Sequence, residues 1–315
     1  MKTFQEYQVD LTRLAEWLPW ATMPLAGVVE NKDHSFLGAF SYPCDAVFDS
    51  ACLSQQLQAL GSGWGIWSEN RQGRCYAAFS WLPQDASDDA AGHYFDRVLT
   101  TLAEQLPLQR LYAGELLQYL FESIAIKKQI AFPDIPMYLD TLLPLGQTYK
   151  LKPQEINVDG YPVTVLALNG FLEECAGRLY SFLREKAIPF RSVRRFLLLT
   201  AAEADEEANR YMAGWCKNHK TIAPLLAYEA NPQKPCGFYA HLLVHWSTEE
   251  EKLVRQSMLI KEFLRAQGQL AHCEHAQPEL WFAAIPGNFR AYLVAPMLQI
   301  DDLRVLFLGE EGAPV

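Results

Sequence analysis

The stretch INVDGYPVTVLAL, Ile156 to Leu168, decides the fold class. Val158, Tyr161, Val163, Val165 and Leu166 give it the β-branched and aromatic character that suits a pleated, half-buried surface, and the spacing predicts one long strand. Toward the C-terminus, Phe171, Cys175, Leu179 and Phe182 fall on one helical stripe, and Arg194 to Thr200 is a second β-rich run. Thr200 with Glu203 has the form of a capping box, in which hydroxyl and carboxylate each satisfy an unpaired backbone donor, and it opens a helix through about Lys220. That helix is expected as an insertion. A strand from Phe238 to Trp246, a helix opened by a second capping box at Thr248 and Glu251, and a strand near Gln269 to Cys273 follow. Without the insertion the order is β-α-β-β-α-β, the split arrangement of a ferredoxin-like sheet.

The first half is also mixed. Gly27 to Glu30 and Ser35 to Phe40 flank the polar cluster Asn31, Lys32 and Asp33, which is a hairpin signal. Asp49 or Ser50 caps a helix carrying Cys52, Leu53, Leu57 and Leu60, with Gly61 as its stop. Strands are expected at Trp64 to Ser68 and Cys75 to Trp81, and helices at Asp88 to Leu106 and Leu111 to Ile126. Four prolines between Phe132 and Pro153 mark a boundary. The expected fold is therefore α+β, with an α/β subdomain over 1–150 and a ferredoxin-like α/β subdomain over 151–315.

Composition restricts the function. Of 315 residues half are hydrophobic, with 17 Phe, 14 Tyr and 8 Trp, enough for buried cores. Residues 1–150 hold 10 Lys and Arg against 17 Asp and Glu, and residues 151–315 hold 17 against 20. Both halves are acidic, so direct nucleic-acid binding, which needs clustered basic surface, is not expected. The seven cysteines are widely separated without a C-x-x-C pair, and are expected as thiols. Met1 to Asp10 lacks the apolar core of a secretory signal, which implies a cytoplasmic chain. Leu18 to Val29 is apolar but holds Pro19 and Pro24 and is shorter than the roughly twenty residues of a spanning helix. Trp17 and Trp20 beside it suit either the domain core or a headgroup layer or membrane subunit.

Catalytic signatures are few. There is no G-x-x-x-x-G-K-[ST] stretch. The glycines from Gly61 to Gly65 lie between a helix and a strand, the reverse of the order that points helix amides at phosphate, and read as a turn. No G-x-S-x-G, H-E-x-x-H or D-F-G set occurs. Acidic clusters at 203–207 and 249–251 fit helix first turns. His272, Cys273 and His275 would meet His241, His245 or Cys236 across strands, a donor set that zinc accepts, and a hydrolase or metal enzyme built on them is the alternative reading. Arg184, Lys186, Arg191, Arg194 and Arg195 form a basic patch expected as solvated surface or as partners of the acidic helices.

Three stretches together resemble the conjugal-transfer and type IV secretion ATPases of the TrbE/VirB/CagE kind. LAEWLPWATMPLAGVVENKD, Leu14 to Asp33, resembles their opening segment, in which L-P-W-A precedes a strand and an N-K-D-G-S turn; His34 stands where that pattern has glycine. LGSGWGIW, Leu60 to Trp67, resembles their L-G-S-G-W segment, and WFAAIPGN, Trp281 to Asn288, resembles an apolar segment closed by L-P-G-N. The motif positions are Leu18, Pro19, Trp20, Asn31, Lys32, Asp33, Gly61, Gly63, Trp64, Pro286, Gly287 and Asn288. The resemblance implies the N-terminal part of such an ATPase, with its P-loop motor domain, ATP and Mg lying elsewhere, and no cofactor, metal or catalytic residue within these 315 residues. It further implies docking onto inner-membrane subunits of the apparatus, peripheral placement at that membrane, and homo-oligomerisation of the full-length ATPase. Trp17, Trp20, Leu25, Val28 and Val29 are the expected docking residues.

Overall fold

Two hairpins are set by dipeptides that accept positive φ. Gln72 and Gly73 lie at φ 52° and 92°, and Asp159 and Gly160 at 54° and 84°, the paired geometry of a two-residue hairpin turn. The first joins β4 (Trp64–Arg71) to β5 (Arg74–Trp81), and the second joins β8 (Glu155–Val158) to β9 (Tyr161–Leu168). The single long strand expected over 156–168 is thus two antiparallel strands, because the Asp-Gly turn reverses the chain in its middle. These come from a computed structural model that describes residues 14–49, 52, 55–56, 63–83, 90–126, 138–144, 147–152, 154–168, 176–199, 202–204, 206, 236–272, 277–289, 297–299 and 306–307.

The remaining strands are β1 (Trp20–Leu25), β2 (Val28–Asn31), β3 (Phe36–Tyr42), β6 (Gln109–Arg110), β7 (Tyr149–Lys152), β10 (Phe190–Leu198), β11 (Cys236–Trp246), β12 (Ala271–His272) and β13 (Met297–Gln299). The helices are α1 (Leu14–Trp17), α2 (Ala91–Gln105), α3 (Ala113–Ile124), α4 (Leu139–Leu142), α5 (Ala176–Glu185), α6 (Glu250–Ala266) and α7 (Gln277–Ala283). The expected first-half hairpin is present, with Val29 opposite Leu37. Helix α6 begins one residue after Glu249, which makes no side-chain capping bond, so the box expected at Thr248 does not form. The helix expected near Leu53 to Leu60 and the insertion expected over 200–220 fall mostly outside the described residues.

The fold is α+β, and one sheet runs through it in the order β1-β2-β3-β5-β4-β10-β11-β9-β8-β7, with β6 on β3, β12 on β9 and β13 on β11. Strands β4 and β10 pair antiparallel from Asn70 opposite Ser192 to Gly65 opposite Leu197. The sheet therefore crosses the boundary expected at residue 150 without a break. The cluster that holds Trp20 and Leu116 also holds Val165 and Leu280, so the halves 1–150 and 151–315 share a core. Prolines report local chain direction, whereas this pairing joins residues far apart in sequence. Within the second half, β9 and β10 are each antiparallel to β11, which lies between them, and β12 flanks β9. That is a split β-α-β order, extended by β4 on one side and β8 on the other.

Alternation along the strands gives each face its own cover. On one face Trp64, Ile66, Phe79, Phe196 and Tyr239 pack with Phe95, Leu99 and Leu102 of α2, and Leu166, Phe190 and Leu243 pack with α5 and α6. The other face carries Trp67, Val165, Val193, Leu242 and Val244 beneath α3 and α7. The basic patch is corrected by this alternation. Arg184 in the last turn of α5 and Lys186 just after it are exposed, but Arg191, Arg194 and Arg195 stand on β10 at the middle of the sheet, each 3% exposed. The cysteines also differ from expectation: Cys44 and Cys75 are bonded, with 5.5 Å between their Cα atoms, inside the range a disulfide spans.

His241 and His245 share a face of β11, as their spacing predicts, and both are buried. Burial, with Arg194 nearby, holds His241 well below the usual imidazole range, and burial with Lys261 lowers His245 to about 3. Between the unfolded value near 6.5 and these lowered values the unfolded chain binds more protons, so stability present above pH 6.5 is lost on acidification. Each histidine contributes a slope of about 1.4 kcal/mol per pH unit in that window. Urea unfolding between pH 7 and pH 5 should show the loss, and His245→Gln should flatten it; an unchanged slope in that variant would contradict the assignment.

Candidate functional site

The first and third of the segments that carry the family likeness meet on the α3/α7 face, and of the second only Trp67 reaches it. The indole Nε1–H of Trp20 donates to the Pro286 carbonyl at 3.0 Å, a buried bond between the two ends of the described chain. Gly287 lies at φ 83°, and a Cβ there would stand 2.9 Å from Asn31 Nδ2. Asn31 in turn donates from Nδ2 to Ser35 Oγ at 2.9 Å, and its carbonyl accepts from the His34 amide at 3.0 Å, closing a tight turn. His34 occupies that turn at φ 64°, the left-handed region that favours glycine. The backbone at this histidine thus has the conformation that a glycine would adopt without strain.

The neighbouring motif residues are fixed by equally specific contacts. The Lys32 amide donates to the Pro19 carbonyl at 2.7 Å. The Lys32 ammonium donates to the Ala15 carbonyl and pairs with Asp140 of α4 at 2.7 Å. Asp33 accepts from the Ser35 hydroxyl at 2.7 Å. Leu18 is buried. Asn288 donates from Nδ2 to the Phe282 carbonyl at 3.2 Å, which closes the end of α7. Gly63 lies at φ 79° in the bend before β4 and its carbonyl accepts from the Leu82 amide at 2.9 Å, so the glycine-rich segment is a turn where it is described. Gly61 lies outside the described residues. Trp64 points to the opposite face, against Phe95, while Trp67 meets Phe289 edge-on at 5.7 Å.

Buried charge ties this seam to the sheet. Arg195 donates to the Asn288 carbonyl at 2.8 Å and lies over the Trp67 ring at 5.7 Å. Arg191 donates to the Ser123 carbonyl in the last turn of α3 and to the Ala284 carbonyl just past α7 at 2.9 Å. Carbonyls at helix C-termini lack intrahelical donors and carry the negative end of the macrodipole, so one guanidinium answers both. Arg71 donates to the Tyr119 carbonyl at 2.9 Å and pairs with Glu69 at 2.8 Å, and the Tyr119 hydroxyl donates to the other Glu69 oxygen at 2.7 Å. Arg191 Nε stands 3.8 Å from the same carboxylate. Burial lowers Arg191 to about 10 and Arg195 to about 9, so both remain cationic at neutral pH.

This geometry corrects the expected docking surface. Trp20, Val28 and Val29 are each 0% exposed. Trp17 is half-buried and stacks on Phe282 at 5.4 Å, and Leu25 is half-buried against the α2 face. Aromatic and branched residues in this stretch are consumed by the core, and Trp17 and Leu25 keep the accessible area. Among the described residues no helix is long and apolar enough to cross a membrane.

No family model and no curated protein matches this chain. The likeness to the secretion ATPases rests on the residues described above.

Among the described residues, the histidine and cysteine residues of the second half are dispersed. Ser192 Oγ lies 2.8 Å from His241 Nε2 and accepts from the Tyr180 hydroxyl at 3.0 Å, all buried. His245 Nε2 is 3.0 Å from Ser257 Oγ of α6. Cys236 is buried at the start of β11, and His272 is exposed on β12. Cys273 and His275 lie outside the described residues. Among the described residues no three His, Cys, Asp or Glu side chains are placed to hold a metal ion. Neither the Trp20–Pro286 bond nor the buried arginine contacts had a sequence signal beyond the quoted motifs, since both join residues distant along the chain.

Two substitutions test the seam. Gly287→Ala forces a side chain into a positive-φ position against Asn31 and should lower unfolding free energy by about 1–3 kcal/mol. Glu69→Gln leaves buried Arg71 and Arg191 facing a neutral amide and should cost about 3–5 kcal/mol, the range for breaking a buried ion pair. Denaturant midpoints within experimental error of the parent protein would contradict either assignment.

Proposed function

We propose that this chain is the N-terminal docking and assembly module of a conjugal-transfer or type IV secretion ATPase. What supports the reading is the contact between the first and third motif segments: Pro19 and Trp20, Asn31 and Lys32, and Pro286 to Asn288 form one contact region although they span most of the chain, whereas Gly63 and Trp64 of the second segment lie away from it. A second support is local. The family pattern places glycine at the positions occupied by His34 and Gly287, and both residues have positive φ. Both of these turns lie on the contact between the first and third motif segments.

In this reading the seam braces the module, and its partner contacts are made by accessible surface such as Trp17 and Leu25. The partner is an inner-membrane subunit of the same apparatus, with the module peripheral to that membrane on its cytoplasmic side. Nucleotide hydrolysis belongs to a motor domain, because the phosphate-binding sequence is absent from these residues.

The test is selective co-purification. The chain, expressed with inner-membrane subunits of a conjugal-transfer apparatus, should retain one of them through detergent extraction and washing, and should show no ATP turnover above a buffer control. Equal retention of unrelated membrane proteins, or turnover that follows the chain through purification, would overturn the proposal.

A further inference from the structure

The bond between Cys44 and Cys75 ties the surface segment after β3 to the start of β5. Cys75 is buried, whereas Cys44 is half-buried between exposed Pro43 and Asp45, so the bond is reachable from its Cys44 side. The β4–β5 turn supplies a polar partner to each sulfur. Cys44 Sγ lies 3.0 Å from the Gly73 carbonyl, an acceptor that a thiol can use and a disulfide cannot. Asn70 Nδ2 donates to Cys75 Sγ at 3.6 Å, and the Gly73 amide fixes that orientation by donating to Asn70 Oδ1 at 3.1 Å. A donor at sulfur favours the electron-rich thiolate. Both partners therefore stabilise the reduced pair, and stabilising the reduced form makes a disulfide easier to open.

The bond also governs a contact at the other end of the described chain. Four residues after Cys44, Phe48 is buried, edge-on to Tyr42 at 5.4 Å and against Phe307 at 4.8 Å. Phe307 meets Tyr42 and Phe79 as well, and the Leu306 carbonyl accepts from Arg194 at 3.5 Å. Residues 306–307 are thus held on the sheet partly by Phe48, and Phe48 stands on a segment that the disulfide pins.

We propose that Cys44 and Cys75 form a reversible thiol–disulfide site, opened by a small thiol of the glutathione class, which sets how firmly residues 306–307 are held on the sheet. A glutathione thiolate attacks Cys44 Sγ, the reachable sulfur. The Sγ–Sγ bond breaks, and its electron pair leaves on Cys75 Sγ, beside the Asn70 donor, where water protonates it. A second glutathione thiolate attacks the glutathione sulfur of the mixed disulfide, releasing Cys44 as a thiol and glutathione disulfide as the oxidised product. Closure is the reverse, with glutathione disulfide as oxidant. Opening frees the segment that carries Phe48 and loosens its grip on Phe307. The site does not depend on the secretion reading, and a failure of selective co-purification leaves it standing.

The test equilibrates the purified chain in glutathione buffers of varied reduced-to-oxidised ratio. Alkylation followed by peptide mass mapping reads the Cys44–Cys75 pair, and hydrogen exchange reads the amides of residues 306–307. The bonded fraction should follow the ratio reversibly, and reduction should speed exchange at 306–307 by about tenfold or more while β10 and β11 keep their protection. Cys44→Ser should give the fast exchange in every buffer. Phe48→Ala should give it with the disulfide still formed. Asn70→Asp keeps the acceptor for the Gly73 amide but replaces the donor at Cys75 with a carboxylate, and should require a higher proportion of reduced glutathione for opening. A pair that stays wholly bonded or wholly reduced at every ratio would overturn the proposal. So would opening that leaves exchange at 306–307 unchanged, or an Asn70→Asp variant that opens at the parent ratio.

Discussion

Strand β10 lies between β4 and β11 and carries three guanidinium groups that water hardly reaches. A buried cation is tolerated only where acceptors surround it. That requirement organises the molecule around this strand. Arg191 holds the ends of α3 and α7, Arg195 holds the Asn288 carbonyl, and Arg194 on the opposite face meets the Tyr180 hydroxyl and the Leu306 carbonyl. All but the Tyr180 contact join β10 to a segment distant in sequence. The apolar cores supply the bulk of burial, but non-directional packing would allow α3 and α7 to slide. The arginines fix where they stop.

The seam at Trp20 and Pro286 is built on that frame. Arg195 positions the loop after α7, and this loop presents its Pro286 carbonyl to the indole of Trp20 and its Gly287 backbone to Asn31. The N-terminal hairpin is thereby locked to a segment more than two hundred residues away in the chain. Local opening of either end is then coupled to the whole sheet rather than being free to fray.

The same arrangement explains which apolar surfaces remain accessible. Trp20, Val28 and Val29 are the kind of residues that mark an interface when exposed, yet their sequence surroundings are also those of a core strand. Helix α6 is the reverse case: its charged composition reads as solvated surface, and the structure leaves Val254, Met258 and Leu259 among those charges. Hydrophobicity along the chain does not report which side of an element has a neighbour.

Local signals in the sequence were sufficient for the α+β class, for most strands and helices, for the shared face of His241 and His245, and for the turn at Asn31 to Asp33, because periodicity and turn chemistry act over a few residues. The Asp159–Gly160 turn was missed, because the β-rich run on either side of it read as one strand. The motif segments were visible as sequence, but not that the first and third touch. Only the tertiary structure decided that β4 pairs with β10 across the expected boundary and that the basic cluster at 191–195 is interior. It also decided that Trp20 meets Pro286. Those outcomes depend on which distant groups satisfy a buried charge or an unpaired backbone donor. Such long-range satisfaction leaves no local periodicity to read.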